Sequence, residues 1–411
     1  MNDRHSYNSA RPTRVAIVHY RDDASAGGSL RVGETIANNL DPRAVEAHLI
    51  FAYGGPPGPV AEKARVPCHF IDAKGPAHLP SWARARALFR ELRPDLIHFQ
   101  DAVNWLRLAL IDSGIKTVLH VHGRYIPRYM RPRDKVLARA FIRSTDAQVC
   151  ISEGARQTLL KLGWARAEST FVVYNSIDCA RFGGRIDKEA ARRRLRLPPD
   201  ARLLGMVGRL FWAKGCADLL SLLERLPLAW HGVFCGDGPE RTRLEQQCRA
   251  RGLSPRVHFI DGQNEVAPVY ASLDALAFLS RYEAFGMVLA EAMAAGIPIF
   301  GLGSEGEYRE SYYPLVTTET ACFVERRQGS NHDAEEAPEV LDELARRIAD
   351  YGERPQNYAA MTERARDWVR ARFDAPVQAE AVTRVYEEVC RSGMRAAQTV
   401  FKEDISTESR S

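Results

Sequence analysis

Short apolar runs, each closed by glycine or a polar turn and most followed by a helical pattern, recur along the chain. The first is RVAIVHY at residues 14–20, then a glycine loop (ASAGGS, 24–29) and a helical pattern over 30–40. Similar runs stand at 45–51, 68–72, 95–99, 117–122, 147–151 and 171–173. Residues 81–92 read as an amphipathic helix, and Ser152 with Glu153 reads as a helix start. Strands that alternate with helices, and that are apolar on both faces, predict a parallel sheet covered on both sides. The pattern breaks at 181–200, with an Arg-rich short helix and Leu-Pro-Pro-Asp, and then resumes. Strand candidates follow at 203–207, 230–235, 257–260, 275–279 and 297–300, and helices at 341–351, 358–372 and 377–391. The fold class is therefore α/β: two doubly wound domains facing across a cleft.

Length agrees, since 411 residues exceed what one core usually organises. The expected division is a disordered start at 1–12, a first domain at 13–185, a linker at 186–200, a second domain at 201–372, a helix at 373–395 and a flexible tail at 396–411. Residues 328–338 read as an acidic, irregular insert. A formal net charge of +5 does not mark a global polyanion binder, and no nucleic-acid partner is expected. The first residues are polar and carry no apolar core of a secretory signal; no run approaches the roughly 18 apolar residues of a membrane span. Eight scattered cysteines without a C-x-x-C pair read as small buried hydrophobes in a reducing compartment. These features predict a cytoplasmic protein.

In parallel α/β sheets ligands lie beyond the carboxyl ends of the strands, so site residues should follow strands. Residues 281–296, RYEAFGMVLAEAMAAG, do. A loop carrying Glu283 meets a helix starting near Gly286 and stopped by Gly296 and Pro298. Such a junction offers backbone N–H groups at the positive end of a helix, which suits a diphosphate. Glu291 lies about two turns further in, in apolar surroundings, and needs a hydrogen-bond donor there. Arg209 and Lys214 follow the strand at 203–207; two cations there also suit a diphosphate. Residues 236–240 form a special-angle turn. His122 ends a strand and can reach a cleft; His120 shares its face, so either could be the exposed ring. The four arginines 192, 193, 194 and 196 read as a solvated helix face.

Gly301-Leu-Gly303-Ser-Glu-Gly306 matches G-x-G-x-x-G, but tyrosines and a proline replace the long helix that a dinucleotide site needs; it reads as a glycine loop near the cleft. There is no D-x-D, H-E-x-x-H or Cys/His cluster, no nucleophile elbow and no P-loop. Neither cofactor nor metal is expected.

Taken together, these residues resemble the retaining nucleotide-sugar glycosyltransferases of family 4, with the GT-B fold, over about residues 13–392. The resemblance rests on E-x7-E at 283–291 with Tyr270-x-x-x-Asp274 before it, Val207-Gly-Arg-Leu with Lys214-Gly215, residues 236–240, Tyr174-Asn-Ser-Ile-Asp178 and Gly27-Gly28. It implies that Arg209 and Lys214 hold the diphosphate of the sugar donor, a UDP-sugar, and stabilise the departing nucleotide without metal. It implies that Glu283 contacts the sugar, Glu291 the ribose, the backbone amides of Phe285, Gly286 and Met287 the sugar or phosphate, Gly27 and Gly28 the diphosphate region, and His122 the transferred sugar, with the acceptor attacking from the leaving group's own face. Two departures stand out: Ser176 replaces a glycine usual after asparagine, and Gly303-Ser-Glu-Gly-Glu307 replaces Gly-Gly-x-x-Glu.

Residues 123–144 are strongly basic and interleaved with Tyr125, Tyr129, Met130 and Phe141; Trp82, Arg84, Arg86 and Arg90 add to them. This surface is expected to meet an anionic membrane or a lipid-linked acceptor, at the membrane's inner face; a glycan or small-molecule acceptor remains open. The competing readings are another GT-B enzyme, an epimerase or phosphorylase, and a non-catalytic scaffold.

Overall fold

The structure, a computed structural model, describes residues 11–22, 28–55, 58, 60–100, 102–123, 130–184, 186–263, 265–281, 283–303, 315–326 and 336–391. Gly27, the loop at 304–307, most of the acidic insert, Tyr125, Tyr129 and both terminal stretches lie outside the described residues.

The first unit runs β1 (Thr13–Arg21), α1 (Gly28–Asn39), β2 (Val45–Tyr53), β3 (Cys68–Phe70), α2 (Leu79–Leu92), β4 (Leu96–Phe99), α3 (Asn104–Ala109), β5 (Lys116–Val121), α4 (Pro132–Ser144), β6 (Ala147–Cys150), α5 (Glu153–Lys161) and β7 (Thr170–Val172). Helices α6 (Cys179–Gly183) and α7 (Lys188–Arg194) lead to the second: β8 (Arg202–Val207), α8 (Cys216–Arg225), β9 (Trp230–Cys235), α9 (Arg241–Ala250), β10 (Val257–Ile260), α10 (Ala267–Ser272), β11 (Ala275–Phe278), α11 (Met287–Ala295), β12 (Ile299–Gly303), β13 (Cys322–Glu325) and α12 (Pro338–Glu353). Helices α13 (Ala359–Phe373) and α14 (Ala375–Arg391) complete the described chain.

Both sheets are wholly parallel. The first has the order β3-β2-β1-β4-β5-β6-β7, the second β10-β9-β8-β11-β12-β13. Each reverses its direction of winding once, between β1 and β4 and between β8 and β11. Such switch points open a crevice beyond the strand ends. The central strands are buried on both faces, β1 almost throughout, because helices cover both sides, while the edge strands β3, β7, β10 and β13 are only partly buried. Helix α14 returns to the first sheet: Val382, Val385 and Tyr386 pack with Val15, Ile17, Leu96 and Val118.

The chain crosses between sheets twice at one place. Ile177 N–H donates to Phe373 O at 2.9 Å and Ala375 N–H to Ile177 O at 2.8 Å, a short parallel bridge. Asp374 caps it, accepting from Cys179 N at 3.1 Å. Tyr174, Phe285 and Phe373 pack around this crossing with ring centroids 5.5–6.1 Å apart.

Several sequence expectations are corrected. Arg192 is not on a solvated face: it is 6 % exposed, and its guanidinium donates to Ser272 O, Pro199 O and Ala201 O and pairs with Asp274 at 2.7 Å. Arg84 and Arg86 keep charge at the surface but are held by carbonyls: Arg84, exposed, donates to Ile71 O at 3.0 Å, and Arg86 to Ala109 O at 2.7 Å. Gly301 and Gly303 are not loop residues but belong to β12, where a side chain on Gly301 would meet the Phe323 ring at 2.7 Å.

Candidate active site

The switch point of the second sheet brings two strand ends together: β8, which feeds Gly208-Arg209, and β11, which feeds Ser280 to Glu283. The β8 loop is braced by the turn at 236–240. Leu210 N–H donates to Asp237 O at 2.8 Å and Glu240 N–H to Leu210 O at 3.1 Å. That is the structural work of the Gly-Asp-Gly-Pro-Glu turn, and it leaves Arg209 exposed at the tip, without a hydrogen bond or ion pair among the described residues.

A 3-10 turn, Trp212–Lys214, then carries Lys214 back to the β11 loop. Arg281 N–H donates to Ala213 O at 2.7 Å and joins the two loops. Lys214 Nζ forms an ion pair with Glu283 Oε1, and Ser280 Oγ donates to the same oxygen at 2.9 Å. Both charged side chains are more than four-fifths buried. Gly215 caps α8 in a left-handed conformation (φ 66°); a Cβ there would lie 2.3 Å from Leu279 O and 2.9 Å from Asp218 Oδ2. Lys214 and Ser280, with Val207, Phe278 and Val288, line a small cavity.

Beneath these loops lies an ionic group that the sequence did not single out. Arg281 pairs with fully buried Asp218 at 2.9 Å, Asp218 accepts from Glu336 N at 2.9 Å, and Glu336 pairs with Arg326, which donates to Leu279 O at 2.7 Å. Paired charges in a dry interior fix position more than they add stability. Here they hold the β11 loop from below. The only sequence signal was an arginine inside an otherwise apolar motif; its partners lie 63 and more residues away.

Helix α11 begins at Gly286, which has φ 89° and so needs glycine. Phe285 points into the inter-domain core at 2 % exposure, so only its backbone is offered to a ligand. Met287 is partly buried at the first turn. Glu291, in the second turn, accepts a hydrogen bond from Tyr270 Oη at 2.5 Å. Burial raises the Glu291 carboxyl above its usual range, while the Tyr270 hydrogen bond pulls the other way. The Tyr-x-x-x-Asp motif thus has two structural duties: Tyr270 satisfies Glu291, and Asp274 holds Arg192, Lys188 and Leu203 N.

Across the cleft, Gly28 opens α1 and His122 stands at the end of β5. Of the two rings on that face, His120 is the enclosed one at 3 % exposure; His122 is partly exposed. Burial pushes His122 down to about 3, so its ring is neutral. Its Nε2 lies 2.8 Å from Gln100 Oε1, another residue that follows a strand end. Lys63 of the first domain reaches Glu265 of the second at 2.7 Å, and Glu265 also pairs with Arg181 at 3.0 Å. Among the described residues no group of three or more His, Cys, Asp or Glu side chains is arranged to hold a metal ion.

On α4, Val136 and Leu137 are exposed between Arg133, Lys135 and Arg139. Leu108 and Ile111, at and beyond α3, are exposed as well. No described helix is long and apolar enough to cross a membrane.

Comparison with known proteins agrees with this arrangement. The family described as "Glycosyl transferases group 1" matches residues 187–311, and "Glycosyltransferase Family 4" matches residues 26–181. The lipopolysaccharide core biosynthesis glycosyltransferase LpsE of Rhizobium meliloti is 32% identical over 170 residues, 41% of this chain and 47% of LpsE, so the match spans about half of that relative. TuaC of Bacillus subtilis, named for teichuronic acid biosynthesis, is 27% identical over 74% of this chain and 73% of its own. Among solved structures, Anabaena HepE in complex with UDP and glucose superposes with a TM-score of 0.76 at 21% identity, covering 92% of this chain and 100% of HepE. The lipopolysaccharide glycosyltransferase WaaG gives 0.66 at 18% identity over 90% and 99%. The two family matches fall one in each of the two domains described above, and this chain belongs to the GT-B glycosyltransferases of the family 4 type.

Proposed function

We propose that the protein is a retaining, metal-independent hexosyltransferase that moves a sugar from a UDP-sugar to a hydroxyl of a glycan, a lipid-linked or a small-molecule acceptor. The observation that carries this reading is the buried Lys214–Glu283 pair at the switch point of the second sheet, with exposed Arg209 in the loop that leads to Lys214. Breaking the sugar–phosphate bond leaves a nucleoside diphosphate carrying extra negative charge. Exposed Arg209, Lys214 and the N-terminus of α11 supply positive charge where that charge develops. In the free protein Glu283 neutralises Lys214. A bound diphosphate would draw the ammonium away and release Glu283 to accept from sugar hydroxyls. Glu291, already holding Tyr270, keeps a second oxygen for the ribose. HepE is bound to UDP and glucose in the structure cited above, which supports uridine as the nucleoside of the donor.

We assign the acceptor side to the first domain; the cations of α4 around exposed Val136 and Leu137 support that reading. Such a face suits an anionic membrane or an acceptor held at one. Co-sedimentation with anionic and neutral vesicles checks this part: equal, negligible binding to both rejects it.

The central test is a thermal-shift and turnover panel of nucleoside diphosphates and their sugars, with and without EDTA. UDP and one UDP-sugar should raise the melting temperature by linkage, and UDP should be released slowly at a rate EDTA does not change. No binding by any nucleotide would favour the scaffold reading; release that persists in Glu283→Ala would reject the site.

A further inference from the structure

Two ion pairs of crossed polarity join the same two loops, one beneath the other. The upper pair, Lys214 with Glu283, faces the crevice. The lower pair is Asp218 with Arg281, at 2.9 Å and buried. The β8 loop offers the cation Lys214 and keeps an acid at the first turn of α8. The β11 loop offers the acid Glu283 and keeps a cation two positions before it.

The lower pair lies tight against the residue that follows Lys214. A Cβ on Gly215 would stand 2.8 Å from Arg281 Nη1 and 2.9 Å from Asp218 Oδ2, so there is no slack between the guanidinium and the backbone that carries Lys214. The pair is also tied outward. Asp218 Oδ1 accepts from Glu336 N at 2.9 Å, Glu336 pairs with Arg326, and Arg326 donates to Leu279 O at 2.7 Å, next to Ser280. Arg326 follows β13 and Glu336 precedes α12, so both loops are referred to the body of the domain.

Four charges in a dry interior are a poor route to stability, since apolar side chains of similar size do as well or better. What paired charges add is one defined register. The upper pair cannot keep that register through a reaction, because a diphosphate that takes up Lys214 parts it from Glu283. The lower pair and the Arg281 N–H to Ala213 O bond outlast that exchange.

We infer that Asp218 and Arg281 are positioning residues that hold Lys214 and Glu283 within reach of one donor after their own ion pair has opened. This rests on the proposed donor site and deepens it. Lys214 and Glu283 touch the donor, and Asp218 and Arg281 act through them. A misplacement of about 1 Å between groups that must act together costs on the order of 100-fold in rate, so loss of the lower pair is felt in turnover more than in affinity.

The test uses the full chain. Asp218→Asn/Arg281→Met removes both charges, leaves neither orphaned, and keeps an acceptor for Glu336 N. Lys214→Ala opens the upper pair without any ligand, and the triple variant opens both. Hydrogen exchange read by mass spectrometry on a peptide spanning 279–283, with a β8 peptide as the reference for global unfolding, reports on the loop. Exchange in Lys214→Ala should stay within about threefold of wild type, and in the triple variant it should quicken at least about tenfold. Turnover is followed as UDP release from the UDP-sugar that the nucleotide panel selects, per folded molecule. It should fall about 10- to 100-fold in the double variant, with the UDP dissociation constant within about threefold. Lys214→Ala should then cost at least about fivefold less in that background than in wild type, because residues that act as a unit are not additive. Arg281→Lys keeps the charge but not the planar fork; it should lose about three- to tenfold in turnover, and it carries the test if the double variant does not fold. Exchange as fast in Lys214→Ala as in the triple variant, an equal Lys214→Ala factor in both backgrounds, or unchanged turnover in the double variant or in Arg281→Lys would each overturn the inference. The exchange measurement needs no nucleotide, so its outcome is separate from whether a UDP-sugar proves to be the donor.

Discussion

Acidification should unfold this protein at a pH where most of its carboxylates are still ionised. The perturbation is protonation of the histidine group beneath the first-domain end of the cleft. Burial pushes His19, His98 and His122 down to about 3 and His120 well below its ordinary value. In the unfolded chain these rings titrate near 6.5. Their native values are depressed, so their stabilising contribution is full above pH 6.5 and is lost as pH falls toward 3. Between pH 7 and 5.5 each ring costs about 1.2 kcal/mol by linkage, and four cost about 5 kcal/mol, comparable to the whole stability of many domains. His69, His231 and His258 are lowered by burial too and act in the same sense. Glu34, Asp218 and Glu291, raised by burial, act oppositely and trim the loss. Urea unfolding followed by circular dichroism at pH 7 and 5.5 measures the difference, and His120→Phe should reduce it by about a quarter. A difference under about 1 kcal/mol would refute the reasoning, since it would mean that the rings are solvated or already charged.

Three other outcomes follow from single contacts. Tyr270→Phe leaves the partly buried Glu291 without its donor; it should cost about 1–3 kcal/mol in urea and weaken UDP binding measured by calorimetry, while Tyr351→Phe at the back of the second domain should leave UDP binding unchanged. Arg192→Ala strips a buried cation from Asp274 and three carbonyls; it should cost about 3–5 kcal/mol, where a solvated arginine such as Arg193 should cost under about 0.5. Lys214→Ala should lower turnover about 100- to 1000-fold and, by leaving mostly buried Glu283 without its cation, also lower the melting temperature; a turnover loss below about tenfold in the folded variant would remove Lys214 from the chemistry.

All the strands but β13, and their order of appearance, could be read in the sequence because they are continuous apolar runs ended by glycine or a polar turn; β13 is short and only half buried, and no strand was expected there. The loop-to-helix junction at Gly286 was legible for the same local reason. What escaped reading was every group whose partner is far along the chain. Arg192 looked solvated because the carbonyls it caps at Ser272 and its acid at Asp274 are about 80 residues on. Gly301 looked like a ligand loop because nothing local shows that Phe323 of β13 packs over it. Gln100 carried no motif at all; only the fold brings its side chain to 2.8 Å from His122 Nε2. Residue types at strand ends are a usable signal for a crevice, but the charge pairs that steady it are set by tertiary folding.

The double crossing at Ile177 and Asp374 has a mechanical consequence. A single connecting segment would let the two domains swivel freely. Two segments hydrogen-bonded side by side define an axle instead, and motion reduces to opening and shutting about it. Phe285 sits against that axle, between Tyr174 and Phe373, so the start of α11 has a short lever arm and travels little as the cleft opens. The Lys63–Glu265 ion pair lies away from those rings and joins the two leaves directly. It works like a magnetic catch on a door: weak enough, being exposed, to part at each turnover, and able to bias the leaves toward the closed position.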